Sequence, residues 1–266
     1  MGPGVYSGIP ADQYHAGEGI NVSSLKLLAD EGGPARVRYG QRTETKALTF
    51  GRLIHAAILE ADTFGESYYP VALATLNENH KAYQAAALQA AGREIVRQAD
   101  YDEALRIRDG VMRNPVARDM LAPGHLTEQS FYWIDQETGV LCRGRADGMR
   151  PDYRVLFDLK STADATEDGF NKSVEDYRYY WQDAWYQAGW AEAAGWKPEA
   201  FIFLAVEKER PYLTAAYEID GDRRAEGLAE ARVQLRRYAE FLAADEWPGL
   251  PDTLRLIEGR RRWGRS

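Results

Sequence analysis

The chain has 266 residues, 45% of them hydrophobic, a formal net charge of −8 and a single cysteine. This supplies one sizeable core, and no apolar run is long enough for a membrane span. The lone Cys142 excludes a disulfide framework and an intrinsic four-cysteine iron–sulfur cluster. The acidic balance argues against a general nucleic-acid coat protein, though an acidic outer face is compatible with a local basic channel.

Residues 1–19 are rich in Gly, Pro and Tyr and read as an irregular arm. The start, Met1 to Tyr6, lacks the charged and apolar regions of a secretion signal. With the single thiol this predicts a reducing, cytoplasmic setting. Asn21 or Ser23 offers a side-chain acceptor that caps a short helix to Leu28. Gly32-Gly33-Pro34 ends it, and Pro34 starts another helix to about Tyr39. Thr49 caps the next, whose apolar stripe is Leu53, Ile54, Ala57 and Ile58, with His55 beside it. On spacing alone His55 is more readily a core histidine than a ligand. Helices are predicted over Asn77 to about Ala99, Asp102 to about Asn114, and Pro115 to Leu121, all read as scaffold.

The pattern then changes. Glu128 to Ile134 alternates as a strand, Asp135 to Gly139 makes a hairpin turn, and Val140 to Met149 reads as a second strand. A turn at Arg150 to Tyr153 returns the chain into Val155 to Thr162, a short buried strand. Its middle carries two charges, Asp158 and Lys160. They share one face by the two-residue period, while Phe157 and Leu159 take the other. Burying an acid and an amine is costly unless something compensates them. The antiparallel return brings Asp147 beside Asp158, and strand alternation puts Arg143 and Arg145 on the Asp147 face. Two carboxylates and a lysine on one sheet surface are hard to justify as packing and make sense around a divalent cation. The Asp-x-Lys tripeptide by itself reads more readily as a surface ion pair.

Ala163 to Val174 reads as a mobile loop. A helix follows from about Tyr177 to Ala194, with Gln182 and Tyr186 on one face. Phe201 to Val206 is an apolar central strand compatible with parallel pairing, Tyr212 to Ile219 another strand, and Asp222 to Ala244 a long helix. Arg255 to Arg265, with Arg260-Arg261-Arg262-Trp263, is a basic tail, read as solvated chain or as a phosphate-contacting strip.

Glu128, Asp147, Asp158-Leu159-Lys160 and Gln182-Asp183-Ala184-Trp185-Tyr186 resemble the PD-(D/E)xK nuclease superfamily, and within it the RecE-type exonucleases (exonuclease VIII) of phages and prophages. Asn21-Val22-Ser23-Ser24-Leu25-Lys26 and Leu48 to Glu60 are similar to further motifs of that family, and the likeness spans roughly Tyr14 to Pro251. One departure is visible: Ala146 stands where the superfamily name has proline. The resemblance implies an α/β (α+β) fold, with a restriction-endonuclease-like core, a central mixed sheet flanked by helices, and an N-terminal helical lobe. The divisions are 1–120 for the arm and lobe, 121–250 for the nuclease core and 251–266 for the tail, in one integrated domain.

The resemblance also implies a function. Asp147, Asp158, the Leu159 carbonyl and His55 would hold Mg²⁺, or Mn²⁺, with Glu128 catalytic or close by and Lys160 the catalytic amine. Gln182 and Tyr186 would position DNA, as would Arg143 and Arg145. The substrate would be linear duplex DNA, degraded 5′ to 3′ to leave a 3′ strand for an annealing protein, by a homo-oligomer without membrane attachment. Two rivals stand beside this reading: another nuclease of the superfamily, either an endonuclease or a helicase-linked enzyme, and a non-catalytic DNA-binding or assembly protein with a relict site.

Overall fold

The computed structural model describes residues 1–41 and 46–256. The tail residues Arg260, Arg261, Arg262 and Trp263 lie outside the described residues. The arm is ordered: β1 (Gly4–Tyr6) and α1 (Ala11–Ala16) replace the irregular segment read from its composition. α2 (Val22–Leu28) is capped as anticipated, the Asn21 side chain accepting from the Ser24 amide at 2.9 Å. α3 (Gly33–Tyr39) follows, then α4 (Lys46–Leu59), so Thr49 lies inside this helix rather than at its cap.

α5 (Phe64–Ser67) and β2 (Tyr68–Val71) come next. The long helix expected over residues 77–99 is only α6 (Lys81–Ala90), because β3 (Glu94–Arg97) pairs parallel with β2. Four residues of strand carry too little alternation to stand out against an Ala- and Gln-rich background. α7 (Gln98–Val111) and α8 (Pro115–Met120) complete this region.

β4 (Leu126–Ile134), β5 (Leu141–Arg150) and β6 (Val155–Thr162) form the antiparallel meander. α9 (Glu167–Asp176) stands where a mobile loop was expected. Thr166 caps it through Gly169, and Phe170 and Val174, four apart, bury its inner face. α10 (Tyr179–Ala194), β7 (Ala200–Glu207), β8 (Thr214–Tyr217) and α11 (Gly221–Ala244) close the chain.

The central sheet has the order β1-β4-β5-β6-β7-β8, with β6–β7 parallel and the other neighbours antiparallel. It is a mixed sheet with helices on both faces, an α/β fold. One face packs Leu156, Phe201, Phe203 and Phe131 against α2, α9, α10 and α11. The other packs Val155, Phe157, Leu159 and Leu204 against α4, α7 and α8. No helix among the described residues is long and apolar enough to cross a membrane.

β1 makes an edge of this sheet, so the first residues of the chain are part of the same core. Apolar burial on both faces, worth about 25 cal/mol per square ångström, holds β6 between the two layers and so sets where Asp158 and Lys160 stand.

Candidate active site

The site lies where two neighbouring strands part. β5 and β6 pair at Arg150↔Val155, Met149↔Leu156 and Gly148↔Phe157, and the pairing stops there. At the next step the Asp147 carboxylate enters the gap and accepts the Leu159 backbone N–H at 2.8 Å. Asp158 and Lys160 face α10 from β6 and form an ion pair. Gln182 of α10 donates its amide Nε2 to Asp158 Oδ1 at 2.6 Å. His55 of α4 stands on the far side, its Nδ1 3.5 Å from Asp147 Oδ2. The strands, α4 and α10 therefore bring Asp147, Asp158, Lys160, His55 and Gln182 to one place.

The electrostatics follow from burial. The Asp158 side chain is only 3% exposed, and its Oδ2 has no hydrogen-bond donor beyond the Lys160 ion pair. Burial, then the nearby Asp158 charge, push the Asp147 carboxyl up to about 6. Burial opposes the charge on Lys160, but Asp158 and then Asp147 outweigh it and hold its pKa above the ordinary value. Glu128 is pushed up to about 7 by burial and then by Asp147, against the pull of Arg145.

Glu128 has φ +51°, a left-handed conformation inside a strand. Thr127↔Gly148 and Gln129↔Ala146 flank it, so it stands opposite Asp147 and outside the ladder. The pleat slips at this pair. A side chain at Gly144 would point to Phe131 on the α10 face, whereas one at Gly148 would overlap Phe157 on the other. In a regular strand residues 144 and 148 share a face.

The slip decides the fate of Arg143 and Arg145. Expected beside Asp147, they point instead to the N-terminal arm. Both are buried, 6% and 9% exposed, with guanidinium carbons 4.8 and 4.1 Å from the Tyr14 ring centroid. Arg143 donates to the Tyr14 carbonyl, and Arg145 to Ile9 O, Ser130 Oγ and Glu128 Oε2. They clamp the arm and are not presented to a phosphate. Tyr186 is buried between Phe131 and Phe201, so its ring packs while Gln182 reaches the site.

Two residues given no role in the sequence reading complete the site. Tyr179, at the start of α10, lies under Lys160, whose Nζ is 4.9 Å from its ring centroid. Lys26 of α2 lies 5.4 Å from the same ring. Burial, then the like charge of Lys160, bring the Lys26 amine down to about 7. Lys26 does sit in the Asn21–Lys26 motif, which was its only signal in the sequence.

Among the described residues no group of three or more His, Cys, Asp or Glu side chains is arranged as a metal cage. The donor set instead suits an ion that takes a few protein oxygens and keeps its waters. Two carboxylates converge, and one oxygen of Asp158 has no hydrogen-bond donor beyond its ion pair with Lys160.

Residues 26–257 match the family model of a PDDEXK-like domain of unknown function, DUF3799. No curated protein matches the chain. Among solved structures, a protein of Eubacterium rectale described as "Putative exonuclease" superposes with a TM-score of 0.66 at 15% identity, covering 96% of this chain and 97% of that one. At that identity the likeness is one of fold. A phage-related exonuclease from Haemophilus somnus 129PT gives a TM-score of 0.39 at 13% identity, over 88% of this chain and 99% of that one.

Proposed function

The chain belongs to the PDDEXK-like family, and from that premise we propose that it is a divalent-metal-dependent exodeoxyribonuclease acting on linear duplex DNA. The observation that carries this reading is the meeting of Asp147, Asp158 and Lys160 at the parting of β5 and β6. Asp147, Asp158 and the Leu159 carbonyl would hold Mg²⁺, with Mn²⁺ as a substitute and His55 and Glu128 at the margin. Bound there, such an ion lowers the pKa of a water and offsets phosphate charge.

The rest falls to the chain itself. Lys160 keeps its proton and faces the phosphate with a buried ammonium, which stabilises charge gathering during hydrolysis. Gln182 locks Asp158 in one orientation through its 2.6 Å hydrogen bond. Glu128, with a carboxyl near 7, takes up or releases a proton at neutral pH. Lys26 adds a second amine on the Tyr179 side, suited to a neighbouring phosphate. The 5′-to-3′ direction, transfer of the 3′ strand to an annealing protein, a homo-oligomeric assembly and a cytoplasmic setting are supported by the motif likeness to RecE-type enzymes.

The test is a linear duplex labelled at each end in turn, beside a covalently closed circle, with Mg²⁺, Mn²⁺ or EDTA. Label released first from 5′ ends, an intact circle and no product in EDTA are expected. Cutting of the circle at a similar rate favours an endonuclease. If every DNA form survives and Asp158→Ala binds DNA as well as the wild type, the relict DNA-binding reading replaces this one.

A further inference from the structure

Beyond Lys160 the site opens into a groove of about 390 Å³, lined among others by Tyr177, Tyr179, Lys172 and Lys208. The hydrolytic chemistry uses none of Lys172, Lys208 or Tyr177. Tyr177 is 61% exposed. A single exposed aromatic is ordinary, but this one is the outermost ring of an aromatic cluster. Its ring stacks on Tyr179 at 5.6 Å and 27°, and Tyr179 stacks in turn on Phe170 and Phe203 at 5.9 and 5.6 Å. Lys160 sits over the Tyr179 ring. Tyr177 is thus largely open to solvent, one ring away from Lys160.

The corner between α9 and α10 positions the two tyrosines. Tyr177 closes α9, and Arg178 turns the chain at φ +50° into α10, which sets the two tyrosines side by side. The Arg178 guanidinium is spent on holding that corner, donating to Lys26 O at 3.0 Å and to Asp30 Oδ1 at 3.1 and 3.2 Å.

The charges around the groove suit a polyanion. Three lysines, Lys160, Lys172 and Lys208, line it against two acids: Asp176 pairs with Lys172, and Asp164 is turned to Thr166, accepting from its Oγ1 at 2.6 Å and its amide at 2.9 Å while keeping its negative charge. Lys208 is exposed on the loop after β7 and makes no ion pair among the described residues.

We propose that Tyr177 is a stacking platform for a nucleobase of the DNA strand held at Lys160, with Lys208 contacting that strand's next phosphate. The inference rests on the nuclease reading and adds a subsite to it. An unpaired base offers a π-face whatever its identity, so the platform is sequence-tolerant and favours a single strand or a frayed duplex end over an intact helix.

The test uses the full chain, in EDTA so that the strand is not consumed, and a series of 12-nucleotide single strands carrying 2-aminopurine at each position in turn. Quenching at one preferred position is expected with wild type and Tyr177→Phe, and its loss with Tyr177→Ala. Tyr177→Ala also weakens binding by roughly 10- to 100-fold without flattening its salt dependence. Lys208→Ala keeps the quenching and makes the dependence of binding on salt shallower by about one phosphate's worth. Melting curves confirm that each variant is folded. If wild type binds and cleaves DNA while Tyr177→Ala matches it in affinity and quenching, the platform is refuted and the nuclease reading stands. If wild type neither binds nor cleaves DNA, both fall together.

Discussion

Leu159 donates its backbone N–H to the Asp147 carboxylate at 2.8 Å, across the gap that opens after the Gly148↔Phe157 pair. A strand amide that has lost its ladder partner is satisfied by a side chain, and a buried acid gains a donor. The bond ties a residue of β5 to the backbone between Asp158 and Lys160, so the spacing of the site depends on it.

Asp147→Asn keeps an acceptor for that amide and removes the charge. Nuclease activity is expected to fall on the order of 10³-fold or more. The acid's folded pKa of about 6 lies above its unfolded value. Its contribution to metal-free stability is therefore complete below about pH 4 and lost as pH rises through about 6. The Asn variant is then more stable than wild type at pH 8, by about 1–3 kcal/mol, and not at pH 4.5. Urea unfolding in EDTA at the two pH values reads this directly. Equal stability at both would show that Asp147 is not desolvated.

Gln182→Leu removes the donor to Asp158 Oδ1, in a place where the carboxylate is nearly sealed from water. The cost is about 1–3 kcal/mol, with a fall in kcat larger than the change in KM, because the acid loses its fixed orientation. Gln182→Glu sets a second carboxylate against the first and is expected to be worse at pH 8 than at pH 5. A pH-independent defect would mean that Gln182 matters only by filling space.

Lys26 carries a pKa near 7 in the free protein. It is charged below that value, so DNA binding in EDTA should weaken several-fold between pH 6 and pH 8.5, about what one phosphate contact supplies. In Lys26→Met this step disappears, and at pH 6 the slope of binding against salt is shallower by about one charge. Identical pH profiles for the two proteins would remove Lys26 from the DNA path.

Tyr14 is the surface on which Arg143 and Arg145 both rest. Tyr14→Leu gives up these contacts, worth about 1–2 kcal/mol when desolvated, and loosens β1 from β4. Chymotrypsin should then cut after Tyr6 at enzyme ratios that leave wild type and Tyr14→Phe intact, as seen by intact-mass analysis. Equal resistance in all three would show that β1 is held without the clamp.

Much of the site is legible in the linear chain because its signals are local. Asp158 and Lys160 stand in an apolar strand of eight residues, and the two-residue period alone puts them on one face, opposite Phe157 and Leu159. Turn residues mark the meander, and the Asn21 cap was visible by type. The segments that differ from the sequence reading, or that it leaves unassigned as with β2, have no such signal. Three residues of β1 and four each of β2 and β3 become strands only by pairing with distant partners. α9 hides its Phe170–Val174 stripe among polar residues and a glycine.

The linear chain carries two acids and a lysine at spacings that an antiparallel return brings together, with a histidine and a glutamine on helices that the fold sets beside them. Which cations stand near those acids follows from packing between distant segments. Alternation assigned Arg143 and Arg145 to the Asp147 face, but the left-handed Glu128 opposite Asp147 shifts the pleat there. The arginines turn to Tyr14, and Lys26, more than a hundred residues upstream of the acids, takes the second position beside Lys160. A face rule holds only while the backbone stays regular, and where it slips, packing against a distant helix chooses the partner.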